Sequence, residues 1–231
     1  MHLLDERSLG RTVDRINDSS FSTARIPAAE RARAAAWIAS RQGGPRCYCG
    51  LFAPTDADWA APLALFTGEK VTTGAGRSHV LGQESYRALL VLKGRGRAVT
   101  DAINGACEGM VPRLVQASSR WGAALGDYCC GTCSVSVWRA MAAGAYPQID
   151  AEAWLAAGLK SLRSHRKPSG DWRRYPLWYT LLALSEMDGD AAREERRYAA
   201  PALEKFLKRK AKSDAINARH RAVAERVLGL S

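Results

Sequence analysis

Gly126-Asp127-Tyr128-Cys129-Cys130-Gly131-Thr132-Cys133-Ser134-Val135-Ser136-Val137-Trp138-Arg139-Ala140 has a counterpart 44 residues downstream, in Gly170-Asp171-Trp172-Arg173-Arg174-Tyr175-Pro176-Leu177-Trp178-Tyr179-Thr180-Leu181-Leu182-Ala183-Leu184. Each stretch leaves an Ala/Leu-rich segment, passes a Gly-x-aromatic turn and enters a second apolar segment. Self-similarity at this period marks stacked helical hairpins. The fold class expected from it is all-α, an array of antiparallel helical hairpins. The helix ends fall near 26–41, 59–66, 78–92, 98–117, 132–142, 150–164, 176–187, 201–211 and 214–228. Pro27 and Pro201 are read at helix starts, where a missing N–H costs nothing. Gly105, Gly109 and Pro112 are expected to loosen the 98–117 helix. β-branched alternation is absent, so essentially no sheet is expected.

A third copy lies upstream. Trp37-Ile38-Ala39-Ser40-Arg41-Gln42-Gly43-Gly44-Pro45-Arg46-Cys47-Tyr48 reads aromatic, aliphatic, three residues, Gln, then an aromatic six further on. Leu162, Arg166, Gly170 and Trp172 stand at matching offsets. Together the copies resemble the QW repeat of the terpenoid cyclases and protein prenyltransferases. Arg166 replaces the Gln, Arg46 replaces the Gly, and Tyr48 and Tyr128 replace Trp. The resemblance spans residues 30–190. It implies an α/α toroid-like arrangement of the hairpins around a central helical cavity that binds an isoprenoid or other apolar ligand, and a transferase or cyclase acting on an isoprenoid-like substrate. Trp138, Tyr175, Trp178 and Tyr179 would then line the inner wall, where aromatic faces stabilise a developing cation. Tyr128, Trp138, Tyr175 and Trp178 are the ligand-binding candidates, and Asp127, Cys130 and Tyr179 the catalytic ones. Core packing is the plainer reading of aromatics at helical spacing. The Asp-x-Asp-Asp and Asp-Asp-x-x-Asp devices of the cyclases are missing; Asp56-Ala57-Asp58-Trp59 comes nearest to the first. Asp127 and Asp171 are also read as caps of the helices that follow them.

The chain has 231 residues, 47% apolar, which suits a packed globule. The expected division is a polar segment over 1–25 and one helical-repeat domain over 26–231. No apolar run approaches the ~20 residues that span a bilayer. Asp5 and Glu6 argue against a secretory signal. Six cysteines without an export signal are then expected as free thiols in a reducing cytoplasm.

The cysteines cluster. Cys47-x-Cys49 sits in the first repeat turn and Cys129-Cys130-x-x-Cys133 in a later one. On a helix, Cys129 with Cys133 and Cys130 with Cys133 share faces. Converging thiolates and an imidazole would suit zinc, with Cys49, His79, Cys129 and Cys130 as the ligand set. Tyr128-Cys129-Cys130-Gly131 and Cys47-Tyr48-Cys49-Gly50 resemble the zinc-holding turns of lanthipeptide cyclases, without their Cys-His-Gly. Small buried core thiols are the alternative, and Cys133 is expected to be buried and inert.

Net charge is +11, and residues 193–231 carry 11 Lys/Arg against 5 Asp/Glu. Lys205, Lys208, Arg209, Lys210 and Lys212 oppose Leu203, Phe206 and Leu207 on a basic amphipathic helix. A solvated face is the simplest reading. Contact with an anionic membrane surface through 203–212 is the next, and nucleic acid, as for a basic helical-repeat binder, comes after it. A homodimer would also suit half of a ring.

Overall fold

The computed structural model describes residues 2–21, 25–121 and 125–230, without the side chains of 118–121. The expected 1–25 segment therefore lies partly outside the described residues. Helix takes 61% of them, and the only sheet among them pairs β1 (Leu63–Ala64) with β2 (Lys70–Val71), antiparallel. The all-α expectation is met.

The chain clusters into two compact units: Met1–Leu65 with Lys70–Gln116 and Ala143–Ile149, and Phe66–Glu69 with Ala117–Ala142 and Asp150–Ser231.

In the first unit the axis is α4 (Gly74–Leu92), buried along most of its length. It starts four residues earlier than 78, because the Thr73 hydroxyl accepts from Gly76 N–H at 3.2 Å. α1 (Leu9–Ser19) packs on it through Leu9, Val13 and Ile16. α2 (Ala28–Ala39) packs on it through Ala34, Ala35 and Ile38. The polar segment before residue 25 thus supplies core. Asp58 sits in α3 (Asp56–Ala60) and is spent on helix ends. Its carboxylate accepts from the backbone of Leu9 at 2.9 Å, Gly10 at 3.2 Å and Thr55 at 2.9 Å. It is a cap rather than a proton donor to substrate. α5 (Arg97–Trp121) runs unbroken through Pro112. Gly105 and Gly109 are there for contact rather than looseness. A Cβ on Gly109 would collide with the Cys49 carbonyl, and one on Gly105 with the Gln42 side chain.

In the second unit α6 (Gly131–Ala142) packs against α7 (Ala151–Ser164) and α8 (Leu177–Leu184). α9 (Asp190–Leu207) and α10 (Ala215–Leu228) pack on each other and on α8. Asp150 caps α7 as expected, accepting from Ala153 N–H at 3.0 Å. α9 starts at Asp190, eleven residues before the expected 201, with Pro201 in its interior. Its start is set by Gly189 at φ +95°, the residue that breaks the chain after α8.

The repeat is visible in the backbone. Gly126 and Gly170 take φ +89° and +83°, and Arg46, standing where the pattern wants Gly, takes φ +64°. All three copies need the left-handed region at this position, and only the first holds it without glycine. The turns are not identical, since α6 begins at Gly131 and α8, after Pro176, at Leu177. In the first copy Gln42 Nε2 donates to Gly50 O at 2.9 Å. In the last, Arg166 instead donates to the Glu195 carboxylate at 2.8 and 3.1 Å. Trp172 Nε1 donates to the same carboxylate at 3.0 Å.

Trp172 is 2% exposed and Glu195 is fully buried. Truncating Trp172 to Ala is expected to cost about 3–5 kcal/mol. Glu195→Ala leaves the buried Trp172 indole N–H without its acceptor and Arg166 with Glu194 alone, at 3.5 Å, and is expected to cost about 1–3 kcal/mol. Glu195→Gln should recover part of that loss by still accepting from the indole. Urea unfolding followed by far-ultraviolet circular dichroism measures all three.

Candidate functional site

Most of the expected inner-wall aromatics are core. Tyr128, Trp138, Tyr175 and Tyr179 are between 1% and 4% exposed. Trp138 stacks on Tyr175, centroids 5.5 Å apart and planes 23° apart. Its Nε1 donates to Gly126 O at 2.6 Å, and the close approach of Gly158 to the indole leaves no room for a side chain there. Tyr179 lies under the Arg139 guanidinium at 5.6 Å, and its backbone N–H donates to Glu69 at 3.0 Å. Arg139 is itself held by Glu186 at 2.8 and 2.9 Å.

Asp127 does not cap α6. One carboxylate oxygen accepts from the Tyr175 hydroxyl at 2.7 Å and the other from the Ser161 hydroxyl at 2.7 Å. This buried knot ties the first turn of the unit to α7 and to the segment entering α8. Asp171 likewise spends its carboxylate locally, on Lys167 at 2.5 Å and on Ser169. Ser161 does not stand out in the sequence as part of this knot.

Trp178 is different. It is half-buried and forms one wall of a cleft of about 430 Å³. Leu177, Leu203 and Phe206 continue the apolar wall, and Asp171 and Arg209 stand in the lining. The back of the Trp178 ring is fixed by His220, stacked at 4.1 Å and 9°, and Phe206 meets it at 4.7 Å. His220 Nε2 lies 2.8 Å from Thr67 O; a carbonyl only accepts, so this nitrogen carries the proton. Leu203 is buried at 2% and Phe206 packs on Trp178. Leu203 and Phe206 are therefore used inside the unit. α9 ends at Leu207, and Lys208, Arg209, Lys210 and Lys212 follow it outside the helix, facing solvent, so the expected amphipathic helix over 203–212 is not formed.

The thiols of the second unit gather at the start of α6. Cys130 immediately precedes the helix, and Cys133 N–H points to its sulfur at 3.5 Å. Cys129 and Cys130 are exposed and Cys133 is buried. Hydrogen bonds from the Cys129 and Cys133 thiols, with the Cys133 and Thr132 N–H groups, hold Cys130 well below the usual thiol range. The same contacts push Cys133 up, through Cys129 first and then Cys130, with burial adding to them. Cys129 is also raised, chiefly by its hydrogen bond to Cys130. The Cys129 and Cys133 sulfurs lie within 4.8 Å of each other, a spacing at which both could reach one metal ion. A Cβ on Gly131 would collide with the Arg174 carbonyl, so the residue between the thiols has to be glycine.

The other two residues of the expected zinc set belong to the first unit. Cys49 is half-buried at φ +46°, its carbonyl pressed on Gly109. His79 is 2% exposed and tilts against Tyr48 at 4.6 Å. Its Nε2 faces the Gln83 amide nitrogen at 3.5 Å, and Gln83 accepts from the Tyr146 hydroxyl at 2.6 Å.

No protein-family model, curated protein or solved structure matches the chain. Among the described residues, no helix is long and apolar enough to cross a membrane.

Three tyrosines make stability sensitive to alkali. Burial, then Cys107, pushes Tyr86 above the ordinary phenol range. Burial, then Tyr86, does so for Tyr146. Burial does so for Tyr175, and the Asp127 carboxylate adds to it. Unfolded tyrosines ionise near pH ~10 while these keep their protons, so the folded state binds more protons and stability falls as pH rises. The urea midpoint is expected to hold from about pH 7 to 9 and to drop above ~10, together with the appearance of tyrosinate absorbance. Ionisation of all tyrosines with the fold intact would contradict this.

Proposed function

We propose that the chain binds an isoprenoid or similar apolar small molecule, and that the cleft beside Trp178 takes it. The observation that carries this reading is the apolar wall of Leu177, Trp178, Leu203 and Phe206 with a cation, Arg209, in the same lining. Ligand pockets combine a mainly apolar wall with a few polar groups, commonly in ~300–1,000 Å³. The repeat-turn residues Ser169, Gly170 and Asp171 form another side of the cleft. The cation suits an amphipathic molecule whose polar end is anionic. Catalysis is not part of the proposal. Asp127 is engaged by two hydroxyls and Tyr179 is in the core.

Titration of the full chain with a dansyl-labelled farnesyl probe tests the reading. Saturable binding is expected. Trp178→Ala and Phe206→Ser are each expected to weaken it about tenfold or more, equivalent to ~1.4 kcal/mol. The farnesyl diphosphate form should lose more than the alcohol in Arg209→Glu. Each variant is checked for a retained cooperative thermal transition. Absence of saturable binding, or binding indifferent to both aromatic changes in folded protein, would overturn the proposal.

A further inference from the structure

We propose that Cys130 and Cys133 form a dithiol–disulfide couple that exchanges electrons with low-molecular-weight disulfides of the glutathione class. The inference is independent of the apolar cleft. It rests on three thiols gathered at one helix start, with the two that would pair differing sharply in exposure.

Cys130-Gly131-Thr132-Cys133 places the pair three residues apart across the first turn of α6. α-helix geometry sets Cα atoms at this spacing ~5 Å apart. That lies inside the ~4.4–6.8 Å range in which a disulfide closes. Adjacent residues have Cα atoms only ~3.8 Å apart, so Cys129 and Cys130 cannot bridge without strain. Cys130 sits where a helix-capping side chain sits, with its sulfur turned back toward the Cys133 N–H at 3.5 Å. The partner sulfur is on the same turn, and the entering disulfide meets Cys130 first. Cys130 is exposed and Cys133 only 3% so. An outside reagent reaches the first thiol, and the second is reserved for the internal step. Gly131 is locked under the Arg174 carbonyl, so the geometry between the two thiols is held by the fold.

The reaction balances as two exchanges. The Cys130 sulfur attacks one sulfur of R–S–S–R. That S–S bond breaks, a Cys130–S–S–R bond forms, and the leaving R–S⁻ takes the proton that Cys130 gave up. Cys133 then gives up its proton and attacks the Cys130 sulfur. The Cys130–Cys133 bond forms, and the second R–S⁻ leaves and takes that proton. Two protein thiols are oxidised and one R–S–S–R is reduced to two R–SH. Cys129, beside the pair, is the competitor: its sulfur lies within 4.8 Å of Cys133.

The test equilibrates the full chain in buffers of reduced and oxidised glutathione over a wide range of ratios. Acid quenching, differential alkylation and tandem mass spectrometry then locate each bond. One disulfide, Cys130 to Cys133, is expected to appear as the buffer becomes oxidising. Cys133→Ser should leave a stable glutathione adduct on Cys130. Cys130→Ser should yield no adduct on Cys133, and Cys129→Ser should leave the couple intact. Serine can still cap the helix, so Cys130→Ser is expected to fold, and circular dichroism checks this. A Cys129–Cys133 bridge, an adduct on Cys129 in Cys133→Ser, or thiols that stay reduced across the whole series would overturn the proposal. So would a stoichiometric metal ion, seen by native mass spectrometry, that shields the three thiols from alkylation.

Discussion

A carboxylate sealed from water cannot stay charged without partners, and in the second unit Glu195 is such a group. Arg166 clamps both of its oxygens, the Trp172 indole donates to one, and Arg163 approaches the other at 3.4 Å. These partners come from the end of α7 and from the turn after it, while Glu195 is on α9. The ion cluster therefore decides how the turn over 166–172 is pinned to α9. Tyr198, one turn further along α9, donates to the Lys167 and Asp171 carbonyls of the same turn, and the Arg166 guanidinium lies over its ring at 4.5 Å. Two successive positions on one face of α9 are thus used to hold the turn.

This explains the departure of Arg166 from the glutamine of the repeat pattern. A glutamine amide satisfies a neutral carbonyl, as Gln42 does with Gly50. It carries no charge to set against a buried carboxylate. Once Glu195 occupies the position facing the turn, a guanidinium with its planar pair of donors is the better match. The first copy solves the neighbouring problem differently. Arg41 donates to the Ala53 and Pro54 carbonyls at 3.1 and 2.8 Å, closing a longer loop with cationic donors to backbone oxygens. The common element across the copies is the left-handed residue, and the side chains around it have diverged with the partner available.

How much of this could be read beforehand follows from what each feature depends on. Helix positions were legible where apolar period and caps agreed, as at Asp150 and in the segment ending at Leu184. The start of α9 was not, because Pro201 imitates a helix start and the run Arg193-Glu194-Glu195-Arg196-Arg197 looks uniformly solvated. A signal was present: Ala192, Glu195, Ala199 and Leu203 fall at helical spacing and are the buried residues of α9. One acidic residue on an otherwise Ala/Leu face marks a buried ion. The aromatics misled for the opposite reason. Trp138, Tyr175 and Trp178 share the same periodicity, and nothing local separates the two that stack in the core from the one that lines a cleft. That difference lies in which helix covers each ring, a property of tertiary packing. The cysteine spacing was legible as a cluster. The burial of Cys133 was legible too, whereas the exposure of Cys130 beside it depends on where α6 begins.

The two candidate sites of the second unit share one support. The turn that Glu195 pins supplies Ser169, Gly170 and Asp171 to the cleft. A few residues on, the Arg174 carbonyl, at a residue with φ +70°, presses on Gly131 at the head of α6. Tyr175, next in line, donates to Asp127, two residues before Cys129. A displacement of this turn would therefore reach the thiols through Gly131 and Asp127, and the apolar wall through Leu177 and Trp178. Local backbone strain of the left-handed kind survives only where the surroundings over-determine it. Here Arg174 is bracketed by a buried tryptophan at 172 and a buried tyrosine at 175, each tied by a hydrogen bond to a carboxylate. Two anchored rings on either side of a strained residue hold it without a glycine. They also hold the turn that both candidate sites of this unit rest on.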